Sequence, residues 1–380
     1  MPGLKSHLRW VSVVACVAAA ALLLTACGSS TTSKSAAPTK AHHTVDFANF
    51  SDSGALFVSL QHGLQTAATE AGVTLNVYNN NASEATTLSN AHTMVLDKPS
   101  AILEYDPVAS TGARIGSLFT SAHIPCVAVN IPFPGCAWFN QSDSILASQM
   151  SKVMSNLMAT RGWNGTNTIA VLLESAAAGP AVNVAVWDDY ADLAKVVPHM
   201  AQKAASTFSA QTTTIGSTGL QVNAGNSLAT AYTAMKNALQ TIPSSRHIVV
   251  FSVDDDMTLG AYRALQNTGR SGNAMITGFG GDPQAIEALR SNPAWVADES
   301  SFFANWGQYL LALATAVAEG IRPPHLTVSP EVILTKKNVN TYFPGGTTAA
   351  PKMLPALAPQ DKFLLKTGVL QKFHDILGLS

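Results

Sequence analysis

The sequence predicts an α/β protein of two lobes, each a doubly wound, Rossmann-like parallel sheet with helices on both faces. Three observations carry this. Short β-rich apolar runs alternate with segments whose apolar residues recur at helical spacing, the rhythm of βαβ units. That rhythm stops at a Pro/Gly/aromatic interval, 132–140, and then starts again. The chain of 380 residues, even without residues 1–43, is longer than one hydrophobic core usually serves.

In chain order, Lys5 and Arg9 precede the apolar run 11–24, and small residues follow at Thr25 and Ala26. A positive start, an apolar core of roughly a dozen residues and small residues at the cut describe an export signal rather than a membrane span. Residues 28–43 are Ser/Thr/Ala-rich with no apolar period. They are expected to form a flexible tether, since they bury too little apolar surface to offset their ordering entropy.

Strands are predicted at 44–50, 73–78, 101–105 and 125–130, with helices at 56–71, 83–96 and 112–122 between them. The first helix carries Leu56, Leu60, Leu64, Ala67 and Ala71 on one face and stops at Gly72. After the interval come a helix at 143–159, a strand at 168–173 and a helix at 181–197. A strand-like run follows at 204–208, then a helix at 227–239, a strand at 247–252, a helix at 255–266 and a strand at 274–278. Asp282-Pro283 reads as an N-cap with Pro at the first helical position. Beyond 338, prolines at 344, 351, 355 and 359 predict an extended linker, and 363–377 predicts an amphipathic helix with Leu364, Leu365, Val369, Phe373 and Leu377 near one face.

Leu24-Thr25-Ala26-Cys27 resembles the lipobox of bacterial lipoproteins. The resemblance implies a signal peptide over 1–27, cleavage before Cys27, and acyl chains on its sulfur and new amino group. The mature chain would then stand on the extracytoplasmic face of a bacterial cell membrane, held by lipid. An ordinary secretory signal that contains a Cys is the alternative. In such an oxidising compartment Cys126 and Cys136 are expected to be bridged, with two independent buried thiols as the other reading. No His or further Cys lies at ligand spacing around them, so no metal is expected.

The stretch 250–266 (VFSVDDDMTLGAYRALQ), followed by 276–283 (ITGFGGDP), closely resembles the periplasmic sugar-binding proteins of the ribose-binding type. Phe57-Val58-Ser59-Leu60, the strand 124–130 (IPCVAVN) and Asn305-Trp306-Gly307-Gln308 agree with the same family's pattern. The resemblance spans about 44–334. It implies the type I periplasmic binding protein fold: two lobes joined by a three-strand hinge, closing on one small polar ligand and delivering it to the permease of an ABC importer. By position the crossings fall near Ser142, Asn305 and Ile333. The N-terminal lobe would comprise 44–141 plus 306–332, and the C-terminal lobe 142–305 plus 333–345, with 346–380 a linker and amphipathic C-terminal helix.

A sugar offers hydroxyls that demand hydrogen bonds and ring faces that suit aromatics. The resemblance accordingly places Phe57 as a stacking ring and Asn130 and Asp254 as hydroxyl partners, with Asp143 and Asn305 at hinge-adjacent polar positions. Phe57 is equally explained as a core ring, and the acids and Asn305 as helix caps. The family's Arg on the second-lobe helix has no counterpart in 180–187 (PAVNVAVW), where Asn183 or Trp187 would fill the space. The Arg expected after Asn130 is Ile131, and the Asp of the Gly-Phe-Asp-Gly turn is Gly280. Losing those charge-assisted bonds argues against ribose. It favours a less hydroxylated or partly apolar ligand, provided Trp138, Phe139, Trp187 and Trp306 face inward.

Composition sets limits on function. With 22 basic and 23 acidic residues the net charge is −1, and no basic patch recommends nucleic acid. No nucleophile elbow, zinc-protease helix or phosphate loop is present, His42 and His43 lie in the tether and the histidines from His62 onward are isolated, so no enzyme and no cofactor is expected. A monomer that binds a sugar or polyol is the reading. A sensor of the same fold feeding a signalling membrane protein is the alternative, and a lipid-anchored hydrolase the remote one.

Overall fold

The computed structural model describes residues 43–345 and 351–379. The signal, Cys27 and all but the last residue of the tether expected at 28–43 lie outside the described residues. Among the described residues, no helix is long and apolar enough to cross a membrane.

The first lobe begins with β1 (Thr44–Asn49), α1 (Ala55–Ala71), β2 (Thr74–Asn79), α2 (Glu84–Asp97), β3 (Ala101–Tyr105), α3 (Ala109–Ser121), β4 (Cys126–Val129) and β5 (Ala137–Asn140). Alternation along the strands sorts side chains to two faces. From β3, Ala101, Leu103 and Tyr105 face α1, with its buried Leu60 and Leu64. Ile102 faces the other way, toward Met94 of α2 and Ile115 and Phe119 of α3. α1 stops where Gly72 adopts φ 68°, its N–H turning back to the Ala68 and Thr69 carbonyls.

The second lobe holds α4 (Asp143–Thr160), β6 (Thr168–Glu174), α5 (Pro180–Val196), β7 (Thr214–Ile215), β8 (Gly219–Asn223), α6 (Leu228–Thr241), β9 (His247–Ser252), α7 (Asp255–Asn267), β10 (Ala274–Gly280), α8 (Pro283–Ser291) and β11 (Trp295–Ser300). The chain then returns to the first lobe with α9 (Trp306–Ala318) and β12 (Thr327–Val328), and crosses back with β13 (Val332–Leu334) and the short α10 (Val339–Tyr342).

The first sheet runs β12-β5-β4-β3-β1-β2, all parallel, and the second β13-β11-β10-β9-β6-β8-β7, with only its two edge pairs antiparallel. The chain passes between sheets three times: after β5, between β11 and α9, and between β12 and β13. Hydrogen bonds tie the crossings together. Gln141 Nε2 donates to Ser301 Oγ at 2.7 Å, and the Ser142 N–H donates to a Glu331 carboxylate oxygen at 2.7 Å. Close backbone approach is needed where α1 meets the second crossing, because a Cβ on Gly63 would lie 1.8 Å from the Ala304 carbonyl oxygen.

Several elements depart from expectation. The run 204–208 is a 3-10 turn, Ala205–Thr207, and the sheet edge is made by β7 and β8 instead. The interval 132–140 contains β5, parallel to β4 and joined to it by a loop that the Cys126–Cys136 disulfide closes.

The segment 363–377 is not an amphipathic α-helix. It forms 3-10 turns, Pro359–Thr367 and Leu370–Lys372, separated by Gly368 at φ 70°. Leu364, Leu370, Phe373 and Ile376 are buried by packing on the body of the protein rather than along one helical stripe, and Leu377 is left 43% exposed. This strap lies along α9. Asp375 accepts from Asn305 Nδ2 at 3.1 Å and Gln308 Nε2 at 2.9 Å, Asp361 accepts the Val328 N–H at 2.9 Å, and Lys372 Nζ donates to the Ala71 carbonyl at 2.5 Å.

Candidate functional site

In open α/β sheets, ligands sit beyond the carboxyl ends of the strands. The two sheets here point those ends at one another across a cavity of about 510 Å³. The first lobe contributes Phe50 after β1, Tyr105 ending β3, Asn130 after β4 and Asn140 ending β5. The second contributes Ser175 after β6, Asp254 after β9 and Phe279 in β10. A larger, shallow depression of about 840 Å³ lies elsewhere, over α6 and β8, and has no charged residue in its lining. It draws on one lobe only.

Phe57 enters the cavity from the first turns of α1. Its ring packs against Phe50 at 5.3 Å and Tyr105 at 5.4 Å between centroids, so the core and the cavity share it. The start of α1 is fixed by Asn49, whose Nδ2 donates to the Phe57 carbonyl at 3.0 Å and to Gln61 Oε1 at 3.2 Å. Asn130 sits in the left-handed region at φ 74°, which asparagine tolerates better than most residues. Its carbonyl accepts from Trp138 Nε1 at 2.9 Å, and its amide donates to Asn140 Oδ1 at 3.4 Å.

Asp254 performs both tasks open to it. One oxygen accepts the Met257 N–H at 3.1 Å and caps α7, while the side chain lines the cavity. Burial raises its pKa to about 6, against the pull of the Met257 bond. Burial likewise raises Asp143, at the start of α4, to about 7, with the charge of Asp188 adding to the rise. Across the cleft the Tyr105 hydroxyl is pushed up by burial and by the Asp254 charge. Asp255 faces the other way: its two oxygens accept the Phe279 and Asp282 N–H groups at 2.8 and 2.9 Å. This explains Gly280, since a Cβ there would come within 3.0 Å of Asp255 Oδ2 and the backbone has φ 138°.

Of the residues singled out from sequence, Phe57, Asn130, Asp143 and Asp254 meet at the cavity. Asn183 and Asn305 do not. Asn183 is buried and clasps Ser175, accepting from its N–H at 2.9 Å and donating to its carbonyl at 2.8 Å, which shapes the β6–α5 loop behind the wall. Asn305 turns to Asp375 of the strap. Trp138, Phe139, Trp187 and Trp306 are outside the lining as well. Trp187 bonds Gln221 and stacks on Phe208, while Phe139 and Trp306 pack edge-to-face in the core. The rings that do line the cavity, besides Phe57, are Phe50, Tyr105, Phe279 and Phe303. All but Phe303 sit at or near the end of a β-rich run, the one signal that could have found them. Among the described residues, no group of three or more His, Cys, Asp or Glu is placed to hold a metal ion.

Comparison with known proteins agrees with this geometry. The sequence model of the periplasmic binding protein domain matches residues 45–321. No curated protein matches the chain. Among solved structures, the fold is similar to an ABC transporter solute binding protein from Mycobacterium smegmatis with bound glycerol, at 16% identity and TM-score 0.66 over 82% of this chain and 100% of that one. A Bacillus halodurans C-125 solute binding protein with bound myo-inositol gives 14% identity and TM-score 0.64 over 80% of this chain and 99% of that one. One from Actinobacillus succinogenes 130z with bound D-allose gives 16% identity and TM-score 0.63 over 79% and 100%.

Proposed function

Since this chain belongs to the periplasmic binding protein family, by its match over residues 45–321, we propose that it captures a small sugar-like or polyol solute in the inter-lobe cavity and hands it to an ABC permease. The observation that carries this is the cavity itself: both lobes supply walls, with ring faces beside amide and carboxyl groups. Such a site suits a molecule with hydroxyl edges and apolar faces, and buried polar groups left unpaired by a wrong ligand cost affinity. Contacts to both lobes favour the closed state, so ligand binding drives closure. The similar structures, with glycerol, myo-inositol and D-allose bound, support the solute class. The lipobox-like Leu24-Thr25-Ala26-Cys27 supports tethering by lipid outside the cytoplasm.

A panel of sugars and polyols that includes those three tests the reading by thermal shift. A ligand at about 100 times its dissociation constant stabilises by roughly 2.7 kcal/mol. Asp254→Ala and Phe57→Ala should each abolish the shift. A shift that survives both places the site elsewhere. Labelling of cells with a radioactive fatty acid should mark the protein and Cys27→Ala should abolish the label, and an unlabelled parent protein would remove the lipid anchor from the proposal.

A further inference from the structure

Resting on the reading of the cleft as a solute site, we infer that its ligand carries a protonated amine alongside hydroxyls and an apolar face: an aminated sugar or polyol rather than a neutral one. The carrying observation is the charge content of the cavity wall. Asp143 and Asp254 line it, and among the described residues no Lys, Arg or His does. A site for anionic solutes would need the reverse; carboxyls also accept from neutral hydroxyls, but among the described residues nothing in this wall gives the pair a counter-charge.

A second tier of acids stands behind the first. Asp188, Asp189, Glu299 and Glu331 act on or are acted on by Asp143. Asp255, Asp256 and Asp282 do the same with Asp254, and Asp298 reaches it through Asp255. Among the described residues, the one cation coupled to any of these is Lys195, on Asp188. Burial raises the carboxyls of this tier and favours their neutral forms, so the field in the cleft comes chiefly from Asp143 and Asp254 themselves and draws in the opposite charge. The facing wall carries the rings of Phe50, Phe57 and Tyr105, residue types whose ring face attracts a cation.

Geometry leaves the acids available. Among the described residues no donor hydrogen-bonds the Asp143 side chain, and the Asp254 side chain receives only backbone N–H groups at the start of α7. An ammonium group supplies the missing counter-charge through charge-assisted hydrogen bonds, while Asn130, Asn140 and Gln141 remain for hydroxyls.

Titration calorimetry on the whole mature protein with matched pairs tests this: D-glucose with D-glucosamine, D-galactose with D-galactosamine, and glycerol with 3-amino-1,2-propanediol. At neutral pH the amine of at least one pair should bind roughly tenfold or more tightly than its neutral partner. That advantage should fall as pH is lowered through about 7 and then about 6, where Asp143 and Asp254 in turn protonate, and neutral partners should show no such trend. Asp254→Asn, which keeps a residue able to cap α7, and Asp143→Asn should each erase most of the advantage. Melting curves confirm that the variants are folded, and the pH trend stands as the readout if one is not. Neutral partners binding as tightly as amines overturn the inference and leave the solute site intact. An amine advantage untouched by both Asn variants overturns it too. No binding by any member of any pair overturns both.

Discussion

Replacing Glu331 by Gln should make the protein more stable above neutral pH. Glu331 lies between β12 and β13, on the third crossing, and accepts the Ser142 N–H at 2.7 Å. Burial raises its pKa from 4.5 to about 8; the Asp143 and Asp361 charges add to the rise, and the Ser142 bond opposes it. The folded chain therefore holds a proton that the unfolded chain releases from about pH 4.5 upward. Stability from this group is complete below the unfolded value and is lost as pH climbs through about 8. At about 1.36 kcal/mol per pK unit, some 3 kcal/mol disappears between pH 5 and pH 8 through this one carboxyl. Gln has the same shape, still accepts from Ser142, and titrates nowhere in that range. Urea denaturation followed by circular dichroism at half-unit steps should find the two proteins similar at pH 5. At pH 8 the variant should be more stable by about 2–4 kcal/mol. Parallel curves for the two proteins, or a variant that is weaker at pH 8, would refute the account of the hinge as a site of buried, uncompensated acid.

Three further outcomes are expected. Gly63→Ala should cost about 1–3 kcal/mol, because the new methyl meets the Ala304 carbonyl oxygen and pushes α1 off the second crossing; an unchanged melting temperature would contradict that contact. Replacing Cys126 and Cys136 together by Ala should cost about 3 kcal/mol by loop-closure entropy over their separation of 10 residues, read from denaturant midpoints with and without reductant. Ile376→Ala, at a position 1% exposed, should cost about 2–4 kcal/mol and open residues 351–379 to limited proteolysis, and resistance equal to that of the parent protein would show that the strap is not held by its apolar contacts.

Much of the fold was legible because parallel strands covered on both faces are near-continuous apolar runs, as in His247–Ser252. β11 was not, since Trp295–Ser300 ends in Asp298, Glu299 and Ser300, all buried, and acids in a strand read as surface. β8 was hidden by its glycine and polar residues, one strand in from the sheet edge. In the tail, helical spacing from Leu364 to Leu377 was real, but the left-handed turn at Gly368 interrupts it and tertiary contacts bury the side chains instead. At the site, the residues carried by the 250–266 motif and the first helix were found. The rings were not: Phe50, Tyr105, Phe279 and Phe303 come from four separate segments, and only the sheet topology gathers them. Trp187 and Trp306 were a false lead because their size suits the core and their N–H groups find partners there, in Gln221 and the Ser301 carbonyl.

The strap along α9 bears on how the molecule is made. The lobe that emerges first is the one finished last, because residues 351–379 seal its surface only after the other lobe has been synthesised. During synthesis the early half must wait, partly uncovered, for the late-arriving end of the chain. A nonsense mutation near residue 350 would therefore wound the part of the protein that ribosomes build first.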